Sequence, residues 1–334
     1  MKKIIAALAL ILSSAVAATA QNKNVVGVLP WDNHRAAVSL TFDDGLPVQL
    51  VFALPAMNAR HMRGTLFLCP DTLKSVESWK AALVNDEIGN HTNTHPHLTQ
   101  ISEGDRITEI ASARAYLETT FERSAISFAY PFEDSNPDVE ADARQFSFMA
   151  RGYAGQVYIT PSSKVDWYSV GSQVARTSYD FQVYKGWITE ALQAHAWVTF
   201  QYHGFAGVGY EAVPVPIFEQ TLDYLRQESD VWVAPFGEVG SYLRGSQIFE
   251  SATVKHSNGE YVFDWTLPTG FPRGVVLKVR LNGRGRVFKH KHEIFPDKGV
   301  YAVPLDCSEI FVVLEDRRER REINTAYARN SDQP

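Results

Sequence analysis

Between about residues 24 and 244, short β-rich runs alternate with helical patterns, and this alternation limits the fold more than any other feature. Residues 37–42, 64–68, 125–130 and 197–202 are apolar, rich in β-branched and aromatic side chains, and read as strands. Residues 78–85, 103–121 and 216–228 carry helical spacing between them. Strands that return through helices pair in parallel, so the expected class is α/β, as an α/β barrel or a doubly wound sheet. From 245 to 315 the texture changes. Candidate strands 260–265, 275–281, 300–303 and 310–314 are separated by turn signals at Ser257-Asn258-Gly259, Asn282-Gly283 and Pro296-Asp297-Lys298-Gly299, as in a small β-sandwich. A charged tail, 316–334, reads as a frayed helix or disorder.

The first 20 residues read as a signal peptide: Lys2 and Lys3, an apolar run from Ile4 to about Leu12, then Ala18-Thr19-Ala20 before Gln21. The run is shorter than the roughly 20 residues that span a bilayer. No cysteine follows the cleavage signal to carry a lipid. The expected product is exported, periplasmic or secreted, with no integral membrane segment. Losing Lys2 and Lys3 takes the formal charge from −6 to −8, which argues against nucleic acid and anionic membranes as partners but not against a neutral glycan. The two cysteines, Cys69 and Cys307, make no disulfide framework. Cys69 ends an apolar run and reads as a buried thiol, and a single Cys69–Cys307 bridge stays open.

Two stretches carry chemistry. In Thr41-Phe42-Asp43-Asp44-Gly45 an expected strand runs into adjacent acids, which suits one metal ligand beside one base and equally suits an ordinary turn. In His91-Thr92-Asn93-Thr94-His95 two imidazoles four apart can converge on one ion, with a carboxylate and an open position for water; surface histidines are the plain alternative. No G-x-S-x-G element supports a serine esterase.

On these residues the chain resembles the polysaccharide deacetylases of carbohydrate esterase family 4, which share the NodB homology domain. T-F-D-D-G stands at Thr41 to Gly45 and H-S/T-x-x-H-P at His91 to Pro96. The resemblance implies a distorted (β/α) barrel over about 24–244, followed by a small all-β sandwich-like domain. It implies that Asp44, His91 and His95 hold one divalent ion, Zn first and Co or Ni as alternatives, with Asp43 as general base. The third motif, R-x-P-Y, is Ala129-Tyr130-Pro131-Phe132 here: the arginine that orients the base is missing, and Arg151 or Arg176 could replace it. The backbone N–H of Phe132 would face the oxyanion, although its ring could equally be core. The fourth motif is partial, Ser163-Lys164-Val165-Asp166-Trp167. By resemblance Asp166 supports the catalytic histidine and Trp167 walls the groove; a surface acid beside a core Trp is the alternative. Phe200-Gln201-Tyr202-His203 resembles the fifth motif, with His203 as proton donor, or else as a buried hydrogen-bonded histidine. Pro131, Trp167 and Tyr202 would contact substrate.

The implied activity is metal-dependent removal of acetyl groups from a carbohydrate, foremost N-acetyl groups of a hexosamine glycan. O-deacetylation of xylan-like glycans and a catalytically inactive carbohydrate-binding protein are the alternatives. Trp265, Tyr261 and Phe271 could hold glycan on the second domain or form its core.

Overall fold

The structure is a computed structural model that describes residues 25–83, 85–153, 155–257 and 259–315. The expected signal peptide and charged tail lie outside the described residues. The chain forms two compact units, one spanning Pro30–Leu243 and the other combining residues up to Leu29 with those from Arg244 onward. The first described strand, β1 (Val26–Val28), therefore does not join the barrel as its place in sequence suggested. It pairs antiparallel with residues 279–281 of the second unit.

In the larger unit, β2 (Ala36–Asp43), β3 (Thr65–Leu68), β4 (Glu87–Asn90), β5 (Ser127–Ala129) and β6 (Met149–Arg151) run parallel, in sheet order β6-β5-β4-β3-β2. On the other side of β2 lies β9 (Trp197–Tyr202), also parallel, with β7 (Tyr158–Ile159) and β8 (Gln173–Val174) attached to it. A further strand, β10 (Val231–Val233), pairs with the first half of β2 on the edge whose second half binds β3. The strands curl into a half-barrel of the α/β class.

All eight residues of β2 are buried, as expected of a strand covered on both faces. Alternation then sorts β9. Phe200 and Tyr202 enter an aromatic core with Phe42, Phe205 and Phe218, while Gln201 and His203 point the other way, into the cleft. The helix Glu103–Phe121 buries Ile110, Ala113, Leu117 and Phe121, a stripe at helical spacing, and Ser102 caps it by accepting from the Asp105 N–H. Burying each of the larger ones, Ile110, Leu117 and Phe121, contributes roughly 1.5–3 kcal/mol. The helix Pro137–Phe146 starts with Asn136 as cap and proline in its first turn.

The smaller unit has two antiparallel sheets. One contains β11 (Thr253–Ser257), β12 (Glu260–Asp264), β14 (Gly285–Lys289), β15 (His292–Ile294) and β17 (Glu309–Leu314); the other contains β1, β13 (Val276–Leu281) and β16 (Tyr301–Pro304). Trp265 belongs to the core: it is buried, its Nε1–H donates to the Leu305 carbonyl at 2.9 Å, and Phe249 meets its ring edge-on. Tyr261 is half-buried and stacks on His256. Cys69 and Cys307 are both free, buried thiols, not the bridge that the sequence left open.

Candidate active site

The C-terminal ends of the parallel strands, where α/β barrels build their sites, bring the two motifs together. Asp44 follows β2 directly, and His91 follows β4. The ligand atoms of Asp44, His91 and His95 lie within 4.8 Å of one another. His95 Nε2 is 3.2 Å from His91 Nε2 and 3.3 Å from Asp44 Oδ1, and His91 Nε2 is 3.5 Å from the same oxygen. His91 Nδ1–H donates to the Ala129 carbonyl at 2.8 Å, so Nε2 faces inward toward Asp44 and His95. Asp44, Thr92 and His95 all have left-handed φ (74°, 63° and 62°), strain typical of functional turns. Gly45, at φ 68°, continues the turn after Asp44 without the side-chain penalty. One carboxylate and two imidazoles that converge on one point fit a divalent ion of the zinc type with a position left open.

Helix Glu103–Phe121 fixes the histidine loop from outside. Glu109 accepts from the N–H groups of Asn93 (2.9 Å) and Thr94 (2.8 Å) and from the Thr94 hydroxyl (2.8 Å). This role leaves no local signal, because a lone glutamate on a helix reads as solvated surface.

Asp43, 1% exposed, is held from several sides. Arg151 donates to both of its oxygens, with Nη1 at 2.9 Å from Oδ1, and also reaches Thr41 Oγ1 at 2.7 Å. Gln201 Nε2 donates to Oδ2 at 3.2 Å, and His203 Nε2 stands 3.5 Å from it. Ala129 and Arg151 are directly paired across β5 and β6, so the guanidinium comes from the neighbouring strand at the level of the missing arginine. The other candidate, Arg176, turns instead to Glu211 at 3.1 Å. Burial pushes the Asp43 carboxyl up, but Arg151, His203 and His91 together outweigh it and hold the group below the usual carboxylate range. Asp44 is also held below the usual range: burial opposes, and hydrogen bonds from His91 and His95 prevail. Burial lowers His203, only partly offset by Asp43, whereas in His91 the Asp44 contact overcomes burial and raises the pKa.

These groups open onto one cleft of about 470 Å³, also lined by Tyr130, Phe132, Glu133, Val174, Arg176, Gln201 and Tyr210. Phe132 is not core: the residue is 57% exposed, its ring stacked on His97 at 3.9 Å and edge-on to His95 at 4.5 Å. Its N–H lies in the first turn of the 3-10 segment Pro131–Glu133, where helical geometry provides no partner.

Four expected site residues are placed elsewhere. Tyr202 is fully buried on the core face of β9, because neighbouring strand residues point to opposite faces. Asp166 turns back on its own loop, accepting from the Tyr168 N–H at 3.0 Å, and does not line the cleft with His203. Trp167 packs beside the buried cluster of Leu98, Phe128 and Val139 and does not line this cleft. Pro131 is buried beneath the cleft turn and also does not line it. Glu133, Val174, Gln201 and Tyr210 line the cleft unanticipated, although alternation along β9 already put Gln201 on the face of His203.

The sequence model described as polysaccharide deacetylase matches residues 32–150, which include both metal-ligand motifs. No curated protein matches the sequence. Among solved structures, a candidate polysaccharide deacetylase from Mycobacterium smegmatis is 14% identical, with TM-score 0.52, covering 65% of this chain and 92% of that one. The carbohydrate esterase family 4 domain of a multidomain xylanase from the hindgut metagenome of Trinervitermes trinervoides is 16% identical, with TM-score 0.45, covering 61% and 89%. A carbohydrate esterase family 4 pseudoenzyme from Bacillus anthracis is 17% identical, with TM-score 0.46, covering 62% and 66%. Over residues 32–150 the half-barrel of this chain is therefore similar to the polysaccharide deacetylase family.

Proposed function

We propose that this domain removes acetyl groups from a carbohydrate by metal-assisted hydrolysis, with N-acetyl groups of a hexosamine glycan as the principal substrate. The observation that carries the reading is a carboxylate, Asp43, kept ionised by Arg151 and set in one cleft beside the Asp44–His91–His95 cluster. Asp44, His91 and His95 would hold the ion, Zn or else Co or Ni, which when bound polarises a carbonyl and lowers the pKa of water. Asp43 takes the proton of the attacking water as general base. Arg151 and Gln201 occupy its two oxygens and hold it in place. The N–H of Phe132 supplies a donor for the oxyanion of the tetrahedral intermediate. His203 returns a proton to the leaving nitrogen as the C–N bond breaks, giving acetate and a free amine. The same groups serve an O-acetyl ester, with oxygen as the leaving atom. Arg151 on Asp43 weighs against the inactive binding protein, because the missing arginine was the main sign of decay. The N-terminal signal fits action outside the cytoplasm.

The test is acetate release from chitooligosaccharides, peptidoglycan fragments and acetylated xylan, by chelated protein and after Zn²⁺ or Co²⁺ is restored. Metal-dependent release that Asp43→Asn abolishes is the expected result. No release from any member by metal-loaded protein overturns the reading.

A further inference from the structure

The polar groups of the cleft are unevenly engaged. Arg151 donates to Asp43 and Thr41. The Gln201 amide is oriented, its oxygen accepting from Ser172 Oγ at 2.8 Å and its nitrogen facing Asp43. Arg176 at the rim is engaged by Glu211. Glu133 differs. Its half-buried carboxyl lines the same cleft. An ionised carboxylate offers about four lone-pair sites, so most of its accepting capacity faces the cleft.

The backbone aims this group. Phe132 and Glu133 are consecutive non-glycine residues in the left-handed region, at φ 57° and 56°. The turn is closed by Glu133 N–H to the Tyr130 carbonyl and Asp134 N–H to the Pro131 carbonyl, both at 3.0 Å. Such a conformation persists only where the surroundings impose it. The charges that act on Glu133 are Arg151, Asp43 and Arg176. The first two neutralise each other and the third is paired with Glu211, so Glu133 adds net negative charge on the Asp43 side of the cleft. A group held against Glu133 must donate hydrogen bonds, and a carboxylate placed against it would be repelled.

We infer that Glu133 is a specificity-determining residue, accepting hydrogen bonds from the hydroxyl or amino groups of a neutral or cationic sugar and rejecting sugars that carry a carboxylate. This rests on the deacetylase reading of the cleft and narrows its substrate class: neutral N-acetylhexosamine chains are favoured over acidic ones, such as those containing N-acetylmuramic acid.

The experiment compares kcat/KM for a neutral N-acetylglucosamine oligomer and a muramic-acid-containing oligomer of equal length, in metal-loaded wild type, Glu133→Gln and Glu133→Asp. Removing one nearby charge is expected to raise the acidic-to-neutral ratio about tenfold in Glu133→Gln. Glu133→Asp, which keeps the charge, should hold the ratio near that of wild type. An unchanged ratio in the Gln variant overturns the inference. If wild type deacetylates neither oligomer, the deacetylase reading fails separately, and calorimetric binding of the same oligomers to wild type and Glu133→Gln reads the selectivity. Equal preference in both proteins then overturns it as well.

Discussion

Arg151 shows how much a single side chain decides here. A carboxylate 1% exposed would ordinarily hold its proton, and a protonated acid is no base. The two-pronged contact from Arg151 reverses that, and it comes from β6 rather than from the strand where the family motif carries its arginine. Arg151→Ala should lower kcat by about 10²-fold or more, because the base loses both its charge partner and its orientation. Arg151→Lys, with a single donating head, should fall between the two. Since Ala129 stands directly opposite Arg151, the double variant Arg151→Ala/Ala129→Arg should recover part of the loss. Steady-state kinetics at matched metal content check this. Equal activity of Arg151→Ala and wild type would show that Asp43 does not depend on the pair.

At the scale of elements, the site is a set of strand ends steadied by what lies behind them. The loop bearing His91 and His95 holds its strained turns because Asn90 accepts from the Thr92 N–H at 2.9 Å and Glu109 takes three donors from Asn93 and Thr94. Outer contacts of this kind typically govern metal affinity by about 10–100-fold. Glu109→Ala should therefore weaken Zn²⁺ binding by about tenfold while leaving the three ligands in place. Calorimetric titration of the chelated protein reads it, and unchanged affinity would mean that the loop is rigid without the helix. The same elements explain what the sequence disclosed. Asp44, His91 and His95 were legible because ligands cluster in short local motifs. The strands 37–42 and 197–202 were legible from apolar β-rich runs. Arg151, Glu109 and Glu133 carry no local signature, because their roles arise from contacts between residues far apart in the chain. Asp166 and Trp167 misled for the converse reason: a two-residue match does not fix which way a loop turns. Tyr202 could have been assigned to the core from alternation alone, since it shares a face with Phe200 and not with His203.

At the scale of the whole molecule, two units fold from one chain, and among the described residues the Asp44–His91–His95 cluster lies in the larger one. Binding to the folded state alone stabilises it by mass action, about 2.7 kcal/mol at a metal concentration 100 times Kd. Metal should thus raise the unfolding temperature of the larger unit and leave the smaller unit's transition where it was. The effect has a definite pH dependence. In the metal-free chain, Asp44 raises the His91 pKa above its ordinary value of about 6.5. A raised histidine contributes stability that is complete below the ordinary pKa and lost as pH rises through the folded one. The metal requires the opposite state, because only neutral imidazole can ligate, so protons and ion compete for His91. Metal-free protein should therefore lose stability on passing upward through the His91 transition, while the increment from Zn²⁺ grows over the same interval. Calorimetric scans at a series of pH values, with chelator and with Zn²⁺, separate the two trends. An increment that stayed constant with pH would mean that the ion binds elsewhere, and His91→Ala would then leave it intact. An increment that shrinks on acidification and vanishes in His91→Ala would tie the stability of the larger unit to the ligands that the motifs announce.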